Sequence, residues 1–195
     1  MKSKIFEIAD SNMAGDTWLW RYYICNDNGY FTLTGEQEVD GLIDLSIEPV
    51  PNLKDGAEIY EALQAATSNY SYDLTEHDLM LVSDALKVFS GKLAGEFSRA
   101  EEILEARHEE QSRLEVVARA RVLAPYRAII DAYIARFSDA PLRYPGGGSY
   151  GSSRVWAKLF IENYVMEHGH LPSGEHRIIV GGYNGSLHNF SDLRT

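Results

Sequence analysis

The sequence predicts an α+β fold, with an N-terminal antiparallel β-meander, long central helices with a potential kink, and a C-terminal helix followed by a β-hairpin. Three observations predict it. Runs of strand-forming residues separated by turn residues fill positions 17 to 48, no glycine interrupts Glu96 to Phe137, and Asn184-Gly185 stands between two short extended runs near the end. The 195 residues suffice to bury a core, and Cys25 is the single cysteine, so no intrachain disulfide contributes. Three regions follow: a sheet region at 1–52, a helical region at 53–140, and a Gly-rich loop, helix and hairpin at 141–195. They are also readable as one domain.

In the first region, Thr17 to Ile24 is rich in β-branched and aromatic residues, Asn26-Asp27-Asn28-Gly29 is a turn of hairpin type, and Tyr30 to Thr34 answers it. Beyond Asp40-Gly41, strict alternation sets Ile43, Leu45 and Ile47 on one face and Asp44, Ser46 and Glu48 on the other, giving a wet acidic face. Residues 1 to 8 are a candidate edge strand. Pro49 and Pro51 are expected to end the sheet.

Asp55 with Glu58, and Thr75 with Asp78, have the spacing of helix starts. The first leads into Ile59, Ala62, Leu63 and Ala66, and the second into Leu79, Val82, Leu86 and Phe89, with Gly91 or Gly95 ending or bending that helix. After Leu104 the three-four apolar spacing meets Arg107 and Gln111, so Glu105 to Arg113 is polar all round, supported by pairs such as Glu109 with Arg113 and Glu115 with Arg119. The stripe returns at Tyr126, Ile129, Ile130, Tyr133, Ile134 and Phe137, and Pro125 kinks the helix or begins a new one. Pro141 to Gly151 reads as a loop. Ser152 or Ser153 caps a last helix that Gly169 stops, and the terminal hairpin is placed to join the first sheet.

The charge is divided unevenly. Residues 1 to 90 hold sixteen carboxylates against five basic side chains, residues 91 to 195 hold thirteen of each, and the net charge is -11. Self-repulsion destabilises a compact chain, so such an excess points to solubility or to a basic partner. It disfavours nucleic acid as a direct ligand. The start of the chain lacks a signal-peptide pattern and no run has membrane-spanning length, so a cytoplasmic location with no membrane partner is expected.

Chemistry-bearing motifs are weak. Gly147-Gly148-Ser149-Tyr150-Gly151 has the G-x-S-x-G form, but the proline-bound segment before it is unsuited to the central strand that a nucleophile turn requires. Gly147 and Gly148 with Ser152, Ser153 and Arg154, at the start of a helix, instead form a candidate anion site for a phosphate or nucleotide, used by a binding domain or an enzyme together with His170 or His176. His168, His170, His176 and His188 are the one histidine cluster, but Gly169 and Pro172 break any shared ligand face. No metal and no cofactor are expected.

The N-terminal acids Asp27, Glu36, Glu38, Asp40, Asp44 and Glu48 have no basic neighbours along the sequence. The function expected is an acidic protein-binding module, of the kind phages and mobile elements use to inhibit host nucleic-acid machinery, engaging a basic surface as a nucleic-acid mimic would. Asp40, Asp44 and Glu48 supply the field and Trp18 or Tyr22 the anchor. Packing of Trp18, Trp20 and Tyr22 under a helix is the plainer use of that face. The broken stripe between Leu93 and Leu114 adds an expectation of a homodimer through helices.

Overall fold

The computed structural model describes residues 2–11, 15–143, 149–178 and 187–193, with backbone alone at residues 44, 143, 149 and 150. The fold is mixed α+β, in the element order the sequence predicts: meander, helices, then a helix and a hairpin. The chain divides into two compact units, Met1–Glu109 and Glu110–Thr195.

The first unit begins with an antiparallel sheet of order β1 (Lys2–Ser11), β2 (Thr17–Asp27), β3 (Tyr30–Val39) and β4 (Leu42–Leu53). Both tight hairpins have left-handed backbone at their two central residues, φ 51° and 88° at Asn28-Gly29 and 49° and 84° at Asp40-Gly41. That is the turn whose twist matches paired strands, and Asn, Asp and Gly tolerate it best. Register pairs Phe6 with Tyr22, Tyr22 with Gly35 and Gly35 with Ile47, so alternation gathers these residues on one face. With Ile24, Phe31 and Leu33 they form the floor of the first core.

Three helices complete that core: α1 (Gly56–Ser68), α2 (Glu76–Leu86) and α3 (Gly91–Ser98). Each has the cap its sequence offers. Asp55 accepts the amides of Ala57 and Glu58, Thr75 and Asp78 exchange hydrogen bonds as a capping box, and Ser90 accepts the amide of Leu93. Gly91 therefore opens α3 after α2 has already ended at Leu86, and the expectation that Gly91 or Gly95 ends α2 is corrected. Fully buried Ile59, Leu63, Val82 and Leu86 each contribute about 1.5–3 kcal/mol by burial.

Two further corrections concern β4. It runs through Pro49 and Pro51, which end nothing, because an edge strand has one side without a hydrogen-bonded neighbour and can do without two donors. Its alternation also slips. Ile43 pairs with Glu38 but Leu45 with Gln37, so Asp44 is the extra residue of a bulge and Ile43 lies on the opposite face from Leu45 and Ile47. A second register shift falls between Ile47 and Val50, around Glu48 and Pro49. Strict alternation of Asp44 and Glu48 on one face does not hold.

The long helix α4 (Ala100–Leu123) carries the division between the units, and its residues 105–118 are all exposed. The surface pairs differ from those predicted: Arg113 bonds Glu110 at 2.8 Å, and Arg119 reaches Glu162 and Asn163 at 3.0 Å. Pro125 starts a short 3-10 turn, Ala124–Tyr126, that leads into α5 (Arg127–Ile134). The second unit adds a two-stranded ladder of β5 (Pro141–Arg143) and β6 (Ser149–Ser152), then α6 (Ser153–His168) and the hairpin of β7 (Glu175–Arg177) and β8 (Leu187–Asn189). Its core comprises Leu123, Ile130, Tyr133, Ile161, Val165 and Phe190, among others. The hairpin pairs only within itself among the described residues, and does not extend the first sheet. No helix among the described residues is long and apolar enough to cross a membrane.

Candidate functional site

The β3–β4 turn end of the sheet lies beyond the helices that cover its other end. Here Trp18 pairs with Asp10 and Val39, and Asp40 holds the turn by accepting the Thr17 amide on Oδ1 at 3.2 Å while its own amide donates to the Thr17 carbonyl. Trp18, Leu19, Asp10, Glu38 and Asp40 line a depression of about 400 Å³. On β4, Leu42 is 76% exposed and Leu45 48%, on the sheet face of Trp18, and Ile43 is 64% exposed on the opposite face. Apolar groups of this size left in water at one end of a sheet, with carboxylates at the margin, have the composition of a contact patch.

Of the residues expected to meet a partner, the fold brings Trp18 and Asp40 together. Glu48 is exposed but lies farther along β4, next to Ile47, which pairs with Gly35 four β3 positions from Val39, or about 13 Å at the usual rise. The backbone of Asp44 is in the bulge between them, and its side chain lies outside the described residues. Tyr22 is wholly buried, its ring 6.2 Å from that of Phe6, and belongs to the core. Its hydroxyl and the Trp20 indole nitrogen have no hydrogen-bond partner among the described residues. Burial pushes the Tyr22 hydroxyl well above its ordinary pKa.

The other face of the sheet is acidic but not unpaired. Arg21 lies between Glu7 at 3.0 Å, Glu36 at 3.7 Å and Glu38 at 2.5 Å, and Lys4 bonds Glu7 at 3.0 Å. Glu36 and Glu38 therefore have a basic neighbour after all, brought by the register of β2 and β3, which linear sequence does not display. The Lys4 bond, then Arg21, holds the Glu7 carboxyl below its ordinary value against the upward push of burial. Tyr23 donates to Glu36, and burial together with that bond pushes its hydroxyl up to about 12.

A larger feature, which sequence reading missed, is a groove of about 880 Å³ between β4 and α1. Ile47, Val50 and Leu53 form one wall and Ala62, Ala65 and Ala66 the other, with Glu48, Glu58 and Glu61 among the lining residues and Tyr70 closing one end. The signal was present: glutamates and alanines at 58, 61, 62 and 65 fall on one stripe at helical spacing. What sequence could not supply was β4 continuing through its prolines to face that stripe.

In the second unit Ser152 caps α6 by accepting the Val155 amide at 3.3 Å, and Ser153 donates to the Ser138 carbonyl. Arg154 bonds the carbonyls of Phe137 and Ala135 and pairs with Asp139, so its guanidinium is engaged in tying α6 to the end of α5. Gly147 and Gly148 lie outside the described residues. The histidines pack against aromatic rings: Tyr164 lies 4.1 Å from His168, 5.6 Å from His170 and 5.2 Å from His176. Among the described residues no His, Cys, Asp and Glu cluster could hold a metal ion.

Compared with known protein families, curated proteins and solved structures, the chain matches none.

Proposed function

We propose that the protein is an acidic protein-binding module whose N-terminal sheet engages a basic surface of another protein, one that itself holds nucleic acid. The observation that carries this reading is the exposed apolar end of β4, with Leu42 and Leu45 on the sheet face of Trp18 and Ile43 on the other face, next to the turn of Asp40. Apolar contact at the centre supplies affinity, and the surrounding carboxylates steer and orient a cationic partner. The surplus of acids over basic residues in the first 90 positions supports the sign of that partner. Asp40, Asp44 and Glu48 supply the field and Trp18 the anchor. Inhibition by imitation of nucleic acid is the biological form this reading takes. Leu114, Val116 and Val117, exposed on α4, are its candidate surface for a homodimer.

The test is capture of a partner from native lysate, with and without nuclease, by the wild type and by a variant combining Asp40→Asn, Asp44→Lys and Glu48→Lys. Asparagine is chosen at position 40 because it tolerates the left-handed backbone there and keeps the acceptor for Thr17. A basic protein retained after nuclease and lost in the variant supports the reading. Equal capture by both proteins, or release by nuclease, overturns it.

A further inference from the structure

Resting on the reading of an acidic module for a basic partner, we infer that the groove between β4 and α1 is a peptide-docking site, taking a segment of that partner in which lysine or arginine flanks apolar anchors. The groove follows β4 from Ile47, opposite Gly35, to Leu53, opposite Phe31, a span of four β3 residues or about 13 Å along the sheet. That accommodates about four extended residues or two turns of helix from a longer chain. Ala62 and Ala66 are buried and Ala65 is exposed, so the helix wall is low and an occupant's apolar side chains can approach the backbone of α1.

Charge complementarity identifies the occupant. Glu48, Glu58 and Glu61 are among the groove's lining residues, and no basic side chain is among the described residues lining it. Glu58 accepts the Lys54 amide at 2.8 Å and lies in the field of Arg107, so an anionic or purely apolar occupant would leave Glu48 and Glu61 uncompensated as water is excluded, whereas a cationic one compensates them. The prolines determine how the occupant is held. Pro49 and Pro51 remove two backbone donors from the strand at the groove, so an added β-strand would lose part of its hydrogen-bond ladder. Recognition therefore runs through side chains, with anchors over Val50 and Ala65 and cations at Glu48 and Glu61.

The experiment is fluorescence anisotropy on the full chain with labelled peptides of leucine and lysine in helical spacing. Two comparison peptides replace every lysine by glutamate or every leucine by glycine. The leucine–lysine peptide is expected to bind saturably and the other two at least about tenfold more weakly. Ala65→Trp, an exposed position where a large ring fills the groove, is expected to weaken binding by about tenfold or more with circular dichroism and Tm unchanged. Glu61→Lys is expected to weaken it several-fold at low salt, while Glu102→Lys, the same charge change on exposed α4, leaves it within about twofold. Absence of binding, tight binding by the glycine peptide, indifference to Ala65→Trp, or equal loss in Glu61→Lys and Glu102→Lys each overturns the inference. Asp40→Asn, outside the groove, separates the two ideas in the lysate capture. If Asp40→Asn abolishes capture while Ala65→Trp leaves it intact, the sheet-end reading stands and the groove falls; the reverse result keeps the groove alone.

Discussion

Arg107 of α4 grips the carboxylate of Asp55, the cap of α1, across 52 positions of sequence. Burial pushes the Asp55 carboxyl upward, but the Arg107 guanidinium and the amides of Glu58 and Ala57 outweigh it and hold the group below its ordinary value of 3.8. As pH falls toward and below that value the unfolded chain takes up the proton first. Stability contributed by the pair is therefore complete above about pH 4 and lost as pH falls through the folded value. Arg107→Leu is expected to cost about 0.5–1 kcal/mol near neutral pH, the half-exposed guanidinium limiting its worth. The cost should vanish near pH 2, as read from chemical denaturation of both proteins at each pH.

The residue next to that cap is expected to be among the least tolerant in the chain. A Cβ on Gly56 would collide with the backbone of α3 at the Leu93 carbonyl and the Phe97 amide, atoms that cannot rotate away. Gly56→Ala should lose at least about 2 kcal/mol in a urea melt. Gly95→Ala, in the same pair of helices but with open space around the added carbon, should gain up to about 1 kcal/mol from helix propensity.

Arg21 is the shared cation of three carboxylates, and Arg21→Met would leave Glu36 and Glu38 to repel one another across the sheet, with Glu7 held by Lys4 alone. The variant should melt at lower temperature than the wild type near neutral pH and recover most of that difference near about pH 3, where the carboxyls protonate. A deficit that persists unchanged in acid would assign the arginine's role to packing of its stem.

Buried tyrosines make an alkaline prediction. Burial and the bond to Glu101 push the Tyr60 hydroxyl from 10.0 up to about 12, and Tyr23 behaves alike through burial and Glu36. Because the folded values are raised, the stability these groups contribute is complete below pH 10 and lost as pH climbs toward 12. A spectrophotometric titration should show a late class of tyrosines that ionise together with loss of structure. Tyr22→Phe removes a buried hydroxyl that has no partner among the described residues, so its melt should be equal to or above that of the wild type, within about 1 kcal/mol.

Local chemistry was legible and pairing across space was not. Asp55, Thr75, Ser152 and Gly169 are recognisable caps, Asn28-Gly29 and Asp40-Gly41 are recognisable turns, and each stands where its residue type predicts. Their physics is contained within four or five residues. The bulge at Asp44 and the passage of β4 through Pro49 depend on β3 as the neighbour and on open space beyond, information that no window of β4 contains. The same holds for the site. Trp18 and Asp40 were found as residue types, but the Arg21 bridges and the β4–α1 groove arise only from register.

The interrupted edge has a consequence for how the protein behaves when concentrated. A long apolar strand at a sheet margin ordinarily invites copies to stack into fibrils, and Leu42, Ile43, Leu45 and Val50 make β4 a candidate for that fate. The extra residue at position 44 bends the margin, and the two imino acids leave gaps where a stacking copy would seek donors. Straightening the strand, with Pro49→Thr and Pro51→Val and position 44 deleted, should therefore make the protein more prone than the wild type to gel and to bind thioflavin.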